Sequence, residues 1–296
     1  MNNPARFTSR CPSPLPPAGG EGGGPNLVSG TLLDVLNSGY ALPDRPSSPH
    51  YEVLVRDFGE GTVELIGFRA DLSPYAGKKH VGAVAEKRVR ARLRSDMTDI
   101  DLAHSVGRAK RLLRHKILGM NADRMLTLTY SENKVDLEGA WKDFSRFIRS
   151  LRKLKPNFHY CVVPERQLRG AIHFHMAIKG FLNVSIVRYL WQKAIGGEGR
   201  IHIGSPKGGG GAWQRAKLAA YLAKYMGKGM TDGEANARRY RASLGIVVPA
   251  GHRFYVPYSD SSVWAMTMLV RAFAPRGVVR LFEAQGALPV VWMASY

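Results

Sequence analysis

The sequence predicts an α+β fold, a ferredoxin-like, split βαβ antiparallel sheet with flanking helices. Three observations predict it. Short runs of alternating apolar and polar residues recur at 51–68, 123–133, 157–167 and 171–180, the period of half-buried strands. Between them lie longer stretches with apolar residues at helical spacing, such as Leu137, Trp141, Phe144, Ile148 and Leu151. Taken in order, the segments from "DRMLTLTY" onward read β-α-β-β-α-β-α, and the first six match the split βαβ arrangement, with helices on a face of one antiparallel sheet.

Residues 1–49 hold nine of the 17 prolines, around "CPSPLPPAGGEGGGP". Such a composition buries too little apolar surface to order itself, so this part is expected to be a disordered leader. The region 50–116 opens with "YEVLVRDFGEGTVELIGF", two alternating strands about Gly59 and Gly61, a predicted hairpin. It continues into a basic zone. From Lys78 to Lys116 there are 12 Lys/Arg against four Asp/Glu, mostly in two predicted helices, "VAEKRVRARLR" and "LAHSVGRAKRLLRHKIL". Arg108, Lys110, Arg111 and Arg114 in the second are candidate phosphate contacts, since guanidinium and ammonium groups neutralise a nucleic-acid backbone whatever its base sequence. His104 and His115 of that helix are expected to be solvated or near phosphate. The segment 117–256 carries the split βαβ pattern, and 257–296, with "SSVWAMTMLVRAFAP", reads as a helix and strand extension.

The whole chain has 296 residues and a formal charge of +20, which predicts attraction to a polyanion, nucleic acid first. Its two cysteines, Cys11 and Cys161, give neither a disulfide framework nor a CxxC zinc site. A reducing cytoplasm is therefore expected. No signal-peptide core and no run of eighteen apolar residues occurs, so no membrane partner is expected.

The strand "LTLTY" places Leu126, Leu128 and Tyr130 on one face and Thr127 and Thr129 on the other. "RGAIHFHMAIKG" sorts in the same way. Ile172, Phe174, Met176 and Ile178 line a core face, while His173 and His175, flanked by Ala171 and Ala177, line the opposite one. Two imidazoles about 7 Å apart on one face can converge on an ion or a phosphate. In "AYLAKYMGKG", Tyr221 and Tyr225 are four apart on a predicted helix, and Lys224 and Lys228 follow each by three. A phenol has a pKa near 10, so a tyrosine nucleophile needs such positive charge close by.

These three motifs, in this order, resemble those of the HUH rolling-circle replication endonucleases. The nearest likeness is to initiators of single-stranded DNA phages, both the filamentous-phage gene II type and the A protein of small isometric phages. It extends over residues 100–256, with "ARRYRASLGI" also resembling the filamentous group. The resemblance implies Mg²⁺ or Mn²⁺ on His173, His175 and a third ligand from the preceding strand. Glu165 supplies the hard oxygen such cations favour, but Pro164 leaves its facing open, so His159 and Gln167 remain alternatives. The resemblance further implies Tyr221 and Tyr225 as nucleophiles, a 5′-phosphotyrosyl intermediate with a free 3′-hydroxyl, and single-stranded origin DNA as substrate, with Thr127 and Thr129 on the DNA-facing side. No GxxxxGK[ST] occurs, so strand separation would fall to a host helicase.

Relaxases share the chemistry, but in them the tyrosines precede the histidine motif; HUH transposases are usually about half this length with one tyrosine. From another class, a non-enzymatic single-strand-binding module on an RNA-recognition-like sheet would account for the charge. His202, in "GRIHIG", is expected to pack, and Gly208–Gly211 to act as a hinge before the tyrosine helix. Reversing Arg108, Lys110 and Arg111 to Glu is expected to weaken binding to unrelated single-stranded DNAs alike and to flatten its salt dependence. Binding titrations at several salt concentrations measure both.

Overall fold

Period-two alternation and the turn glycines together produce two antiparallel sheets. The structure is a computed structural model and describes residues 32–69, 99–204, 212–228, 240–284 and 290–295, with the backbone alone described at 99–104, 212–213, 227–228, 282–284 and 290. In chain order the elements are α1 (Leu32–Asn37), β1 (His50–Asp57), β2 (Val63–Arg69), α2 (Asp99–Gly119), β3 (Arg124–Tyr130), α3 (Leu137–Leu154), β4 (Tyr160–Arg166) and β5 (Ile172–Ile178). They continue as α4 (Val184–Ile195), β6 (Gly199–Gly204), α5 (Ala212–Lys228), β7 (Arg241–Ala242), β8 (His252–Pro257), α6 (Ser262–Phe273), β9 (Val279–Ala284) and β10 (Val290–Ser295).

One sheet has the order β6-β3-β5-β4-β7. Its strands β3, β4, β5 and β6, with α3 and α4 as the two crossovers, are the split βαβ unit that the sequence predicts. Asp136 caps α3 by accepting from the backbone N–H groups of Glu138 and Gly139, both at 3.0 Å. Such a cap satisfies donors that the first helical turn leaves unpaired. Trp141, Phe144, Phe147, Ile148 and Leu151 of α3, with Val187, Leu190 and Trp191 of α4, bury Leu126, Leu128, Ile172, Phe174 and Met176 on one face of the sheet. The β4–β5 turn uses Gly170 at φ +85°, a conformation that costs glycine nothing.

Helices cover both faces of this sheet, not one. On the second face α2 and α5 pack with Leu113, Ile117, Leu218, Leu222 and Met226 against Cys161, Val163 and Ala177. Burial pushes the Cys161 thiol up to about 12, so it packs as a small apolar group.

The other sheet, β8-β1-β2-β10-β9, corrects one expectation and adds to another. Its strands come from both ends of the described chain: β8 pairs with β1, and β10 pairs with β2. The helix and strands expected after residue 257 are present as α6, β9 and β10, and the two strands join the sheet of the β1–β2 hairpin. Residues 32–49, by contrast, are not part of a disordered leader. Leu42 bridges Tyr255, and Val35 and Ala41 lie buried against α6 and the sheet. Two buried apolar positions in a Pro-rich stretch left too little pattern to detect. Residues 1–31, the predicted helix "VAEKRVRARLR" and Gly208–Gly211 lie outside the described residues.

The two sheets meet through α2. Glu64 of β2 accepts from Arg114 through both carboxylate oxygens, at 2.7 and 2.8 Å, and lies 3.0 Å from His115 Nε2. Burial alone would raise the Glu64 carboxyl; the hydrogen bonds from His115 and Arg114 outweigh it and hold the group below its usual range. Arg114 is therefore engaged inside the protein, and His115, its ring tilted against Phe58, is buried rather than solvated. Glu64→Gln is expected to cost about 3 kcal/mol in urea unfolding, since it removes the buried carboxylate charge to which Arg114 and His115 are hydrogen-bonded. The carboxylate contributes fully above its unfolded pKa near 4.3 and loses that contribution as pH falls through the lower folded value. The variant should lack this part of the acid dependence.

Candidate functional site

Strand register fixes what surrounds the two histidines. Residues directly opposite in adjacent strands share a face. On β3, Thr129 stands opposite His173 and Thr127 opposite His175. On β4, Glu165 stands opposite His173 and Val163 opposite His175. On β6, Arg200 stands opposite Thr129 and His202 opposite Thr127. Two transverse rows result, Arg200–Thr129–His173–Glu165 and His202–Thr127–His175–Val163.

The face carrying these rows is the one that α5 covers over β4 and β5. The apolar residues of α5 point to the sheet, and the tyrosines follow. Tyr225 stacks on His175 with ring centroids 4.2 Å apart and planes 12° from parallel. Tyr221 meets Tyr225 edge-on at 5.0 Å, and the Tyr225 hydroxyl donates to the Tyr221 oxygen. Tyr221 is 45% exposed and Lys224 is exposed; the Lys228 side chain lies outside the described residues. Burial, then the hydrogen bond with Tyr221, pushes the Tyr225 phenol above its ordinary value. The start of α5 is fixed by Arg215, whose buried guanidinium pairs with Glu60 in the β1–β2 turn at 2.7 Å. Sequence reading passed over that residue.

His175, 6% exposed, uses both ring nitrogens. Its Nε2 lies 2.6 Å from Glu165 Oε2, and its Nδ1 is 3.3 Å from the Thr127 hydroxyl. With Nε2–H donating to the carboxylate, Nδ1 accepts from Thr127. His173 Nδ1 accepts from the Gln167 amide at 3.3 Å, and Arg169 donates to the other end of that amide at 3.2 Å. Its Nε2 is buried without a hydrogen-bond partner among the described residues. Burial, followed by the neighbouring His175, lowers the His173 pKa, with Glu165 acting in the opposite sense.

The three candidates for a third ligand are thereby separated. Glu165 reaches His175, Gln167 reaches His173, and His159 turns away to Ser243 at 3.2 Å. Two imidazoles and a carboxylate on adjacent strands suit a divalent cation in kind, and the orphaned His173 Nε2 is a donor-acceptor atom awaiting a partner. In this arrangement the set is closed up. Glu165 sits directly on His175, and among the described residues no three His, Cys, Asp or Glu side chains stand together as a ready metal site.

Of the predicted DNA contacts, Thr127 and Thr129 lie on the site's floor, Arg108 and Arg111 are exposed on α2, and Lys110 is half-buried there. Arg114 is held by Glu64 and is not on that surface in the same sense. His202 is exposed on the histidine face rather than packed, and Arg200 beside it was not singled out at all. The signal was present: "GRIHIG" alternates two polar side chains with Ile201 and Ile203, as "IHFHMAI" does.

Fold and site together define a split βαβ sheet whose histidine face lies under a helix bearing paired tyrosines. Residues 123–230 match a family model of replication-associated proteins, that of the ORF2 and gene II protein type. This stretch, little more than a third of the chain, runs from β3 through the tyrosine helix and so spans every element of the site. No curated protein and no solved structure matches the chain. Among the described residues no helix is long and apolar enough to cross a membrane.

An NMR titration of the imidazole protons is expected to find His173 below the ordinary histidine value near 6.5. Glu165→Gln should lower it further, because the carboxylate is what favours the charged ring.

Proposed function

We propose that this chain is a metal-dependent, tyrosine-type single-stranded DNA endonuclease and ligase that nicks a replication origin and initiates rolling-circle replication of a phage or plasmid. The observation that carries the reading is the stacking of Tyr225 on His175 at 4.2 Å, which brings the two sequence motifs, some 50 residues apart, into one site. The similarity of residues 123–230 to replication-associated proteins and the charge of +20 support it.

His173, His175 and Glu165 would hold Mg²⁺ or Mn²⁺. Bound there, a divalent cation offsets charge on the oxygens of the scissile phosphate. The chain's own side chains do the rest. A tyrosine oxygen attacks phosphorus, the O–P bond forms, the bond from phosphorus to the 3′ oxygen breaks, and that oxygen takes up a proton. The 5′ end stays on tyrosine as a phosphodiester, so its bond energy is kept for rejoining when a 3′-hydroxyl attacks in reverse. Lys224, exposed three residues beyond Tyr221 on the helix, brings positive charge to the side from which a phosphate would arrive. The hydroxyl of Tyr225 already donates to Tyr221, so charge growing on the Tyr221 oxygen meets a hydrogen-bond donor in place. Tyr225 then remains as the second nucleophile after Tyr221 is occupied.

Thr127 supports this chemistry from beneath by fixing the ring of His175 through Nδ1. The Gln167 amide does the same for His173. A cation seated on His173 Nε2 would require Nδ1 to carry the proton, so the Gln167 amide would present its oxygen instead.

Incubation with labelled single-stranded origin DNA and Mn²⁺ is expected to give a denaturation-resistant adduct on the fragment 3′ of the nick, and excess EDTA to abolish it. DNA binding without any adduct would identify a binding module instead. Tyr221→Phe and Tyr225→Phe should each retain some single-turnover cleavage and the double variant none. With only Tyr225 left, its burial-raised pKa should make adduct formation climb about tenfold per pH unit from neutral pH to roughly pH 9. A plateau near neutrality would show that another group, not phenol ionisation, limits the step.

A further inference from the structure

The nucleophile approaches from one side of the histidine face, and the other side is open. Over β4 and β5 the face is covered by α5, with α2 beside it, through Leu218, Leu222, Met226, Leu113 and Ile117. Over β3 and β6 it presents Thr127 and Thr129, half-buried, and Arg200 and His202, both exposed. β6 is an edge strand, so this half of the face runs out to solvent. Arg200 lies two strands from His173, about 10 Å by the usual inter-strand spacing. A Cβ at Gly204 would stand 3.5 Å from His202 Nε2, so the imidazole leans along the strand over the space that glycine leaves.

In-line displacement at phosphorus places the leaving oxygen opposite the attacking one. With tyrosine arriving from α5, the leaving 3′ oxygen and the nucleotides that precede it point away from α5, across β3 and toward β6. We propose that Arg200 and His202 form a subsite for the DNA strand immediately 5′ of the nick, the segment released with the 3′-hydroxyl. Arg200 pairs with a backbone phosphate there, and His202 lies beside the adjoining nucleotide, with the Thr127 and Thr129 hydroxyls between them and the reacting phosphate. Charge complementarity selects a polyanion over an apolar partner, and continuity of the two rows with the histidines selects the substrate strand itself. The subsite retains the 3′-hydroxyl end near the phosphotyrosine, where rejoining needs it. The inference rests on the nicking reading and deepens it, by assigning one side of the substrate to one strand of the sheet.

The test compares Arg200→Gln, His202→Ala and the wild type on three single-stranded oligonucleotides: one spanning the nick, one shortened on its 5′ side to a single nucleotide, and one shortened to the same extent on its 3′ side. For Arg200→Gln the KM on the spanning oligonucleotide is expected to rise about tenfold, as for loss of one hydrogen bond to a charged group, with the change in KM rather than kcat. The salt slope of binding should fall by about one. Shortening the 5′ side should cost the wild type a similar amount, and the two changes together should cost no more than either alone. Arg200→Lys, which keeps the charge, should restore the salt slope and so exclude misfolding as the cause. Additive losses on the 5′-shortened oligonucleotide, a deficit that instead merges with 3′ shortening, or an unchanged KM would each overturn the assignment. If the wild type forms no adduct, the nicking reading fails by itself; fluorescence anisotropy with the same three oligonucleotides then still decides whether Arg200 contacts the 5′ segment.

Discussion

The packing of α5 onto β4 and β5 is the contact on which the site depends. Leu218, Leu222 and Met226 are buried against Cys161, Val163 and Ala177, each such side chain contributing roughly 1.5–3 kcal/mol by leaving water. Their helical phase leaves no freedom for the tyrosines. Tyr225, one residue before Met226, is turned onto His175, and Tyr221, one turn earlier, stays at the solvent edge. The small side chain of Ala177 on β5, in the cluster packed against this helix, lets it approach closely.

Placement along the helix axis comes from elsewhere. Arg215, in the early part of α5, is tied to Glu60 at the tip of the β1–β2 hairpin, and α2, which packs beside α5, is tied to the same hairpin through Glu64. Each tie holds one buried charge, Arg215 in the first and Glu64 in the second, so each stabilises a charge that water does not reach. The second sheet thus acts on the site without touching it. Its strands β1, β2, β8 and β10 hold the hairpin, and the hairpin holds the two helices that roof the histidine face.

Charge on the histidine face is distributed unevenly. Glu165 places a carboxylate on the β4 side beside His175, whereas exposed Arg200 makes the β6 side cationic. Under the proposed nicking function, a single strand crossing this surface would meet a carboxylate-bearing, roofed half and a cationic half where backbone phosphate is favoured. The exposed Arg108 and Arg111 of α2 add positive charge beside the roof, while Arg114 of the same helix serves the join between the sheets.

Local pattern determined much of this. Alternation in "LTLTY" and "IHFHMAI" is enough to sort core from chemistry, because a strand has only two faces and a buried one must be apolar. The spacing of Tyr221 and Tyr225 puts them on one helix face for the same kind of reason. The element order predicts the split βαβ unit. What pattern could not supply is partnership between distant segments. That β10 would pair with the N-terminal hairpin, that residues 32–49 would pack beneath α6, and that Arg114 and His115 would turn inward to Glu64 all depend on strand pairing across some 200 residues or on a single buried acid. Neither leaves a periodic trace. That Glu165 lies beside the histidines and that Arg200 and His202 stand in the same rows was likewise decided by register, since which residues stand opposite one another is a property of two strands together and of neither alone.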